Sequence, residues 1–206
     1  MKNSEIISSD IKASLTKSGM LLFLAGFMIF MGIITCEILY KAEFNTRDNY
    51  ISELAAAISP DIVIQQPSAK IFNLTMIITG LMIIIATYFV HVIFKIFLSS
   101  IPLLLLGMGI SGVGFFPGNI VPWHGIFALV IFISGGIAAI TSFKIVRPPL
   151  RYIFILFGIL ALFFLFFQKI FVPFLGVGGT ERWLFYPIVF WITGMGAYLM
   201  GIKDGH

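Results

Sequence analysis
The chain has 206 residues, 59% of them hydrophobic and only 11% charged, with a formal net charge of +4. A soluble domain carries about 25% charged residues, so these few charges cannot cover an aqueous surface, and the bilayer is the solvent for most of the chain. The basic excess does not interleave with aromatics, which excludes a nucleic-acid partner, and the single cysteine, Cys36, excludes an internal disulfide or a multi-thiolate metal site.

Residues 1–18 read as a polar arm, cytoplasmic or interfacial, in which Ser4–Lys17 suits either an interfacial helix or a flexible tail. The arm is too polar to open a cleavable signal sequence, and no small-residue cleavage site follows the first apolar run, so that run is read as a retained helix. A membrane domain over 19–202 follows, then a short tail, 203–206. A spanning helix needs about 20 mostly apolar residues, and six runs qualify: Met20–Tyr40, Ala69–Phe94, Ser99–Phe116, Pro122–Phe143, Leu150–Phe171 and Trp183–Ile202. The expected fold is therefore all-α, a polytopic transmembrane bundle of about six spans. One connection is long, Lys41–Ser68, and its YISELAAAI stretch predicts a short helix at the membrane edge.

Orientation follows from basic residues, which collect on the cytoplasmic side of short loops. With six spans, eight Lys and Arg fall on the side of both termini (Lys2, Lys12, Lys17, Lys95, Lys144, Arg147, Arg151, Lys203) and five on the other (Lys41, Arg47, Lys70, Lys169, Arg182). This places both termini in the cytoplasm of a multi-pass protein of the cell membrane. On the third span Gly107, Gly109, Ser111, Gly112 and Gly114 form a row of small residues. The row contains G-x-G-x-x-G, but without a preceding strand it is not a dinucleotide fingerprint. Small residues let neighbouring helix backbones approach in a membrane, so the third helix is expected to be central and tightly packed.

Charges near hydrocarbon are costly, so their positions are informative. Glu37, Ser52, Glu53, Asn73, Asn119, His124, Glu181 and Arg182 all fall toward the outer face under this topology. Local structural uses compete for several of them. Glu37 and Lys41 are four apart, as an ion pair on a helix requires, and Thr180 and Glu181 suit the capped, electropositive start of the sixth span. His91 lies near the inner end of the second span and reads as structural. One imidazole among carboxylates does not make a metal site, and no cofactor signature is present.

The segments ISEL at Ile51–Leu54, FN at Phe72-Asn73, GMGISGVGFFP at Gly107–Pro117, the following His124, and GGTER at Gly178–Arg182 together resemble a family of polytopic membrane proteins of bacteria and archaea, domain-of-unknown-function family 998. The likeness covers about Glu37–Leu199. Such proteins usually carry Leu-Gly after the acid that follows the position of Ser52, and here Ala55 replaces that glycine. The resemblance implies a six-helix bundle and brings no activity with it.

Three roles fit these residues. The first is a polar pocket at the outer face, built from Ser52, Glu53, Asn73, Asn119, His124, Glu181 and Arg182, that binds or transports a lipid headgroup or small amphiphile, with Arg182 pairing an anionic group. The second is a structural or accessory subunit, in which the Phe-rich fifth span meets a membrane-protein partner or a second copy of the chain. The third is an intramembrane lipid hydrolase or transferase with His124 as general base and Glu53 as its orienting carboxylate or as the base itself. Binding ranks first and enzymatic activity last, because no complete catalytic signature is present.

Overall fold
The computed structural model describes residues 9–56 and 64–202, with no strand among them. Five helices follow in order: α1 (Ser9–Ile38), α2 (Ser68–Phe94), α3 (Phe97–Phe115), α4 (Trp123–Thr141) and α5 (Leu150–Met200). Each is long and apolar enough to cross a membrane. The chain is an all-helical, membrane-type bundle.

The first helix starts earlier than its hydropathy suggests. Leu15, Ser18, Leu22, Ala25, Ile29, Ile33 and Cys36 recur at helical spacing on one buried face, so the stripe that packs α1 into the bundle reaches back into a segment assigned to a polar arm. Residues 9–18 belong to this helix. The rest of that arm, the end of the YISELAAAI stretch and the tail 203–206 lie outside the described residues. The part of YISELAAAI that is described forms a single 3-10 turn, Ile51–Leu54.

The expected fifth and sixth spans are joined in one 51-residue element, α5. A straight helix of that length would measure about 75 Å, yet residues far apart along it touch. The Trp183 ring stacks on Phe164 at 5.1 Å, Gly194 lies against the Phe154 ring, and the backbone N–H of Arg147, just before α5, donates to the Tyr198 hydroxyl at 3.2 Å. α5 is thus two arms lying side by side. Helical geometry breaks at Phe167 and again at Gly176, whose φ of 74° and ψ of 172° suit glycine. The segment 172–182, expected as a connection, is helical apart from the break at Gly176.

Each helix packs on its neighbours in sequence, and α1 also packs on α5, which closes the ring. Small residues set the close approaches. A Cβ on Gly80 would collide with Ser111 and the Gly107 carbonyl across the α2–α3 seam, and Gly158 meets Gly136 between α5 and α4. In its most apolar window α3 is 67% buried, against 22–44% for the other four helices, as its row of small residues predicts.

The alternation gives the bundle two distinct ends. The loop end holds the C-termini of α1 and α3, the N-termini of α2 and α4, and the Gly176 break. It carries Lys41, Arg47, Lys70, Lys169 and Arg182. The opposite end carries Lys12, Lys17, Lys95, Lys144, Arg147 and Arg151.

Candidate functional site
At the loop end the connection after α1 folds down onto α5. Asn45 Oδ1 accepts from the Arg47 N–H at 2.9 Å, and Asn49 Oδ1 accepts from the Asn45 N–H at 2.9 Å, so amide side chains shape the turn. The Arg47 carbonyl then accepts the N–H groups of Gly178 and Gly179 at 2.8 and 3.2 Å. This contact requires glycine, since a Cβ on Gly176 would strike Arg47 and one on Gly178 would strike the Asn49 carbonyl. The GVGG run of α5 is a seat for the loop.

Arg182 clamps the same junction. Its Nη1 donates to the carbonyls of Thr46, Asn49 and Gly178 at 2.8, 3.2 and 3.0 Å, and its Nη2 pairs with Glu37 Oε1 at 2.5 Å. Glu37 is therefore the partner of Arg182 rather than of Lys41. α1 ends at Ile38, so Lys41 is not on its helix and the four-residue pairing geometry is lost. Glu53 is also occupied locally. Its carboxylate accepts from Asn49 Nδ2 at 2.8 Å and from the Tyr50 N–H at 3.0 Å, closing the Ile51–Leu54 turn. The Ser68 hydroxyl holds the far side of that turn, donating to the Leu54 carbonyl at 3.0 Å.

Beneath this loop lies a chamber. Ser52 enters from the 3-10 turn, His124 from the first turn of α4, and Glu181 from the second arm of α5. All three line an outer cavity of about 330 Å³, and all three also line a smaller one of about 40 Å³ that reaches between Phe72, Met76 and Phe185. The outer cavity is walled by Leu129, Phe132, Leu165 and Leu184, with Tyr50 and Gln168 at its polar margin. No Lys or Arg lines either cavity.

The chemistry of the three polar groups follows from their partners. His124 is buried, and its Nδ1 lies 2.8 Å from the Phe116 carbonyl. A carbonyl only accepts, so Nδ1 carries the proton and the neutral ring keeps a lone pair on Nε2. The turn Pro117–Pro122 makes this possible by ending α3 at Phe115 and starting α4 at Trp123. One carboxylate oxygen of Glu181 accepts the Ile51 N–H, which ties α5 to the 3-10 turn. Thr180 does not cap a helix start: its hydroxyl donates back to the Gly176 carbonyl at 2.7 Å, in mid-helix fashion. The Tyr50 phenol is pushed above its ordinary pKa, first by burial and then by the charges of Glu181 and Glu53.

Of the seven residues named from sequence, the fold brings Ser52, His124 and Glu181 to one chamber. Glu53 and Arg182 are spent on the loop. Asn73 and Asn119 line neither cavity, and each leaves a buried Oδ1 without a partner among the described residues. Glu53 and His124 share no hydrogen bond, since each is held by other groups. The apolar walls were not foreseen as site residues. Gln168, an amide closing the Phe-rich run LFFLFFQ, was the one sequence signal of them.

The model of the family described as "Protein of unknown function (DUF998)" matches residues 24–198. Comparison with curated proteins and with solved structures gave no match. With most of its length matched, the chain belongs to this family.

Proposed function
We propose that this member of the family is a multi-pass protein of the cell membrane that binds, for retention or transfer, a lipid or small amphiphile at its loop end. The observation that carries the reading is the composition of the chamber: a mostly apolar hollow of about 330 Å³ whose lining includes Ser52, His124 and Glu181, the three polar residues it shares with the smaller cavity. Sites for small molecules are concave and mostly apolar, with a few convergent polar groups that fix orientation. An alkyl chain would lie along Leu129, Leu165 and Leu184, and its head would meet the three polar groups.

Orientation is part of the reading. The two arms of α5 each cross the bilayer, giving six crossings and both termini in the cytoplasm, so the chamber faces outward. Support comes from the basic residues at the opposite end, six among the described residues against five at the loop end.

Lipid extraction and mass spectrometry of the protein purified in nanodiscs tests the binding. Ala128 lines both cavities, so Ala128→Phe is expected to fill the hollow and abolish the retained amphiphile. Leu129→Trp, at an exposed wall position, is expected to act the same way without loading the core. Equal amphiphile content in the wild type and both variants would sink the reading.

A further inference from the structure
We infer that the occupant of this chamber carries a positively charged, hydrogen-bond-donating head, namely the ammonium of an alkylamine-type amphiphile; the inference rests on the binding reading above and specifies its ligand class. The sequence suggests the reverse, because Arg182 stands beside Glu181 and would attract an anion. The fold commits that guanidinium elsewhere. Three backbone carbonyls and Glu37 hold it at the loop junction, and it lines neither of the two cavities.

What remains in the chamber is a set of acceptors. Glu181 gives one carboxylate oxygen to the Ile51 N–H, and its other oxygen has no partner among the described residues. The Nδ1 bond of His124 to the Phe116 carbonyl leaves Nε2 as a lone-pair acceptor. The Ser52 hydroxyl has no partner among the described residues and accepts as readily as it donates. The Tyr50 and Phe132 rings, also in the lining, offer negative faces to a cation. No lining side chain is cationic. A carboxylate in an apolar hollow is costly without a counter-charge, and an ammonium supplies both the charge and three donors. A phosphate or carboxylate head would face Glu181 with no cationic side chain in the lining. A hydroxyl would satisfy one acceptor and leave the charge.

The test uses three probes with the same alkyl chain: decylammonium, decanol and decyl phosphate. Each is titrated against the full-length protein in zwitterionic nanodiscs, and retained adducts are counted by native mass spectrometry. Decylammonium is expected to bind tighter than either of the others by about tenfold or more, the scale of one charge-assisted hydrogen bond. Glu181→Gln keeps an acceptor for the Ile51 N–H, and is expected to erase the preference while decanol binding persists. Gln168→Lys puts a cation at the exposed margin, away from the core, and is expected to shift the preference toward decyl phosphate even if the Glu181 variant folds poorly. Decyl phosphate or decanol binding as tightly as decylammonium, or a preference that survives Glu181→Gln in folded protein, would overturn the inference and leave amphiphile binding standing. Retention of none of the three would take the binding reading down with it.

Discussion
The two ends of the bundle use polar groups in opposite ways. At the opposite end the contacts close helix termini onto their neighbours. Ser99 donates to the Thr141 carbonyl at 2.9 Å, Trp191 Nε1 to the Ser142 hydroxyl at 3.3 Å, and His91 Nδ1 lies 3.1 Å from the Ser100 hydroxyl. Its basic residues Lys95, Lys144 and Arg147 are exposed, as anchors at a headgroup boundary are. At the loop end one arginine gathers carbonyls from residues 46, 49 and 178 and a carboxylate from residue 37. The first arrangement fixes where helices stop. The second holds a loop over a hollow whose lining includes Ser52, His124 and Glu181, each with an acceptor atom to spare. The Arg182–Glu37 ion pair lies at the end that has the chamber, and substitutions at the two ends should differ accordingly.

The largest effect is expected from Arg182→Ala. It strands a half-buried Glu37 carboxylate and releases three carbonyls, and breaking a buried pair from one side costs about 3 kcal/mol or more. His91→Ala, at the other end, removes one side-chain hydrogen bond, to the Ser100 hydroxyl, and should cost about 1 kcal/mol. Unfolding of both variants in the same detergent compares the two ends directly. Adding Glu37→Gln to Arg182→Ala should recover part of the loss, because the stranded charge is gone. Equal destabilisation by Arg182→Ala and His91→Ala would remove the contrast between the ends.

Next in size is Gly176→Ala. A side chain there meets both an unfavourable positive φ and the Arg47 carbonyl, a combination that costs about 1–3 kcal/mol. Because the strain falls on the loop's seat, limited proteolysis near residues 45–50 should quicken before the bundle itself unfolds. A variant whose loop stays as resistant as the wild type would mean that the GVGG seat is not what holds the loop.

The fold was largely legible in the sequence because hydropathy reports what faces lipid. Glycine rows report where helices touch, and the α2–α3 seam at Gly80, Gly107 and Ser111 follows from them. The site was legible only as a list of costly residues on one face. Which of them are spent locally depends on partners distant in sequence: Glu37 finds Arg182 across 145 positions, and Glu181 finds the Ile51 N–H across 130. Periodicity carries no information on such pairings. Composition presents α5 as two apolar runs with a linker, but it does not show that the linker is itself mostly helical, with breaks at Phe167 and Gly176.

The smallest expected effect tests the electrostatics of the chamber from its rim. Tyr50 lies in the loop, and burial holds its phenol neutral above the ordinary tyrosine range, aided by Glu181 and then Glu53. A group whose pKa is raised on folding stabilises the fold fully below its unfolded value, and that contribution is lost as pH rises through the folded value. The wild type should therefore lose stability as pH rises from the free tyrosine value near 10 through the raised folded value, more steeply than Tyr50→Phe. The phenolate difference spectrum between the two proteins should show a midpoint above that of free tyrosine. Glu181→Gln should lower this midpoint, because the carboxylate that pushes it up is then neutral, whereas a similar change on Glu43, outside the chamber, should leave it in place. If Tyr50 titrates at the free value in every variant, no buried charge stands beside it. The loop end would then be electrostatically as plain as its opposite.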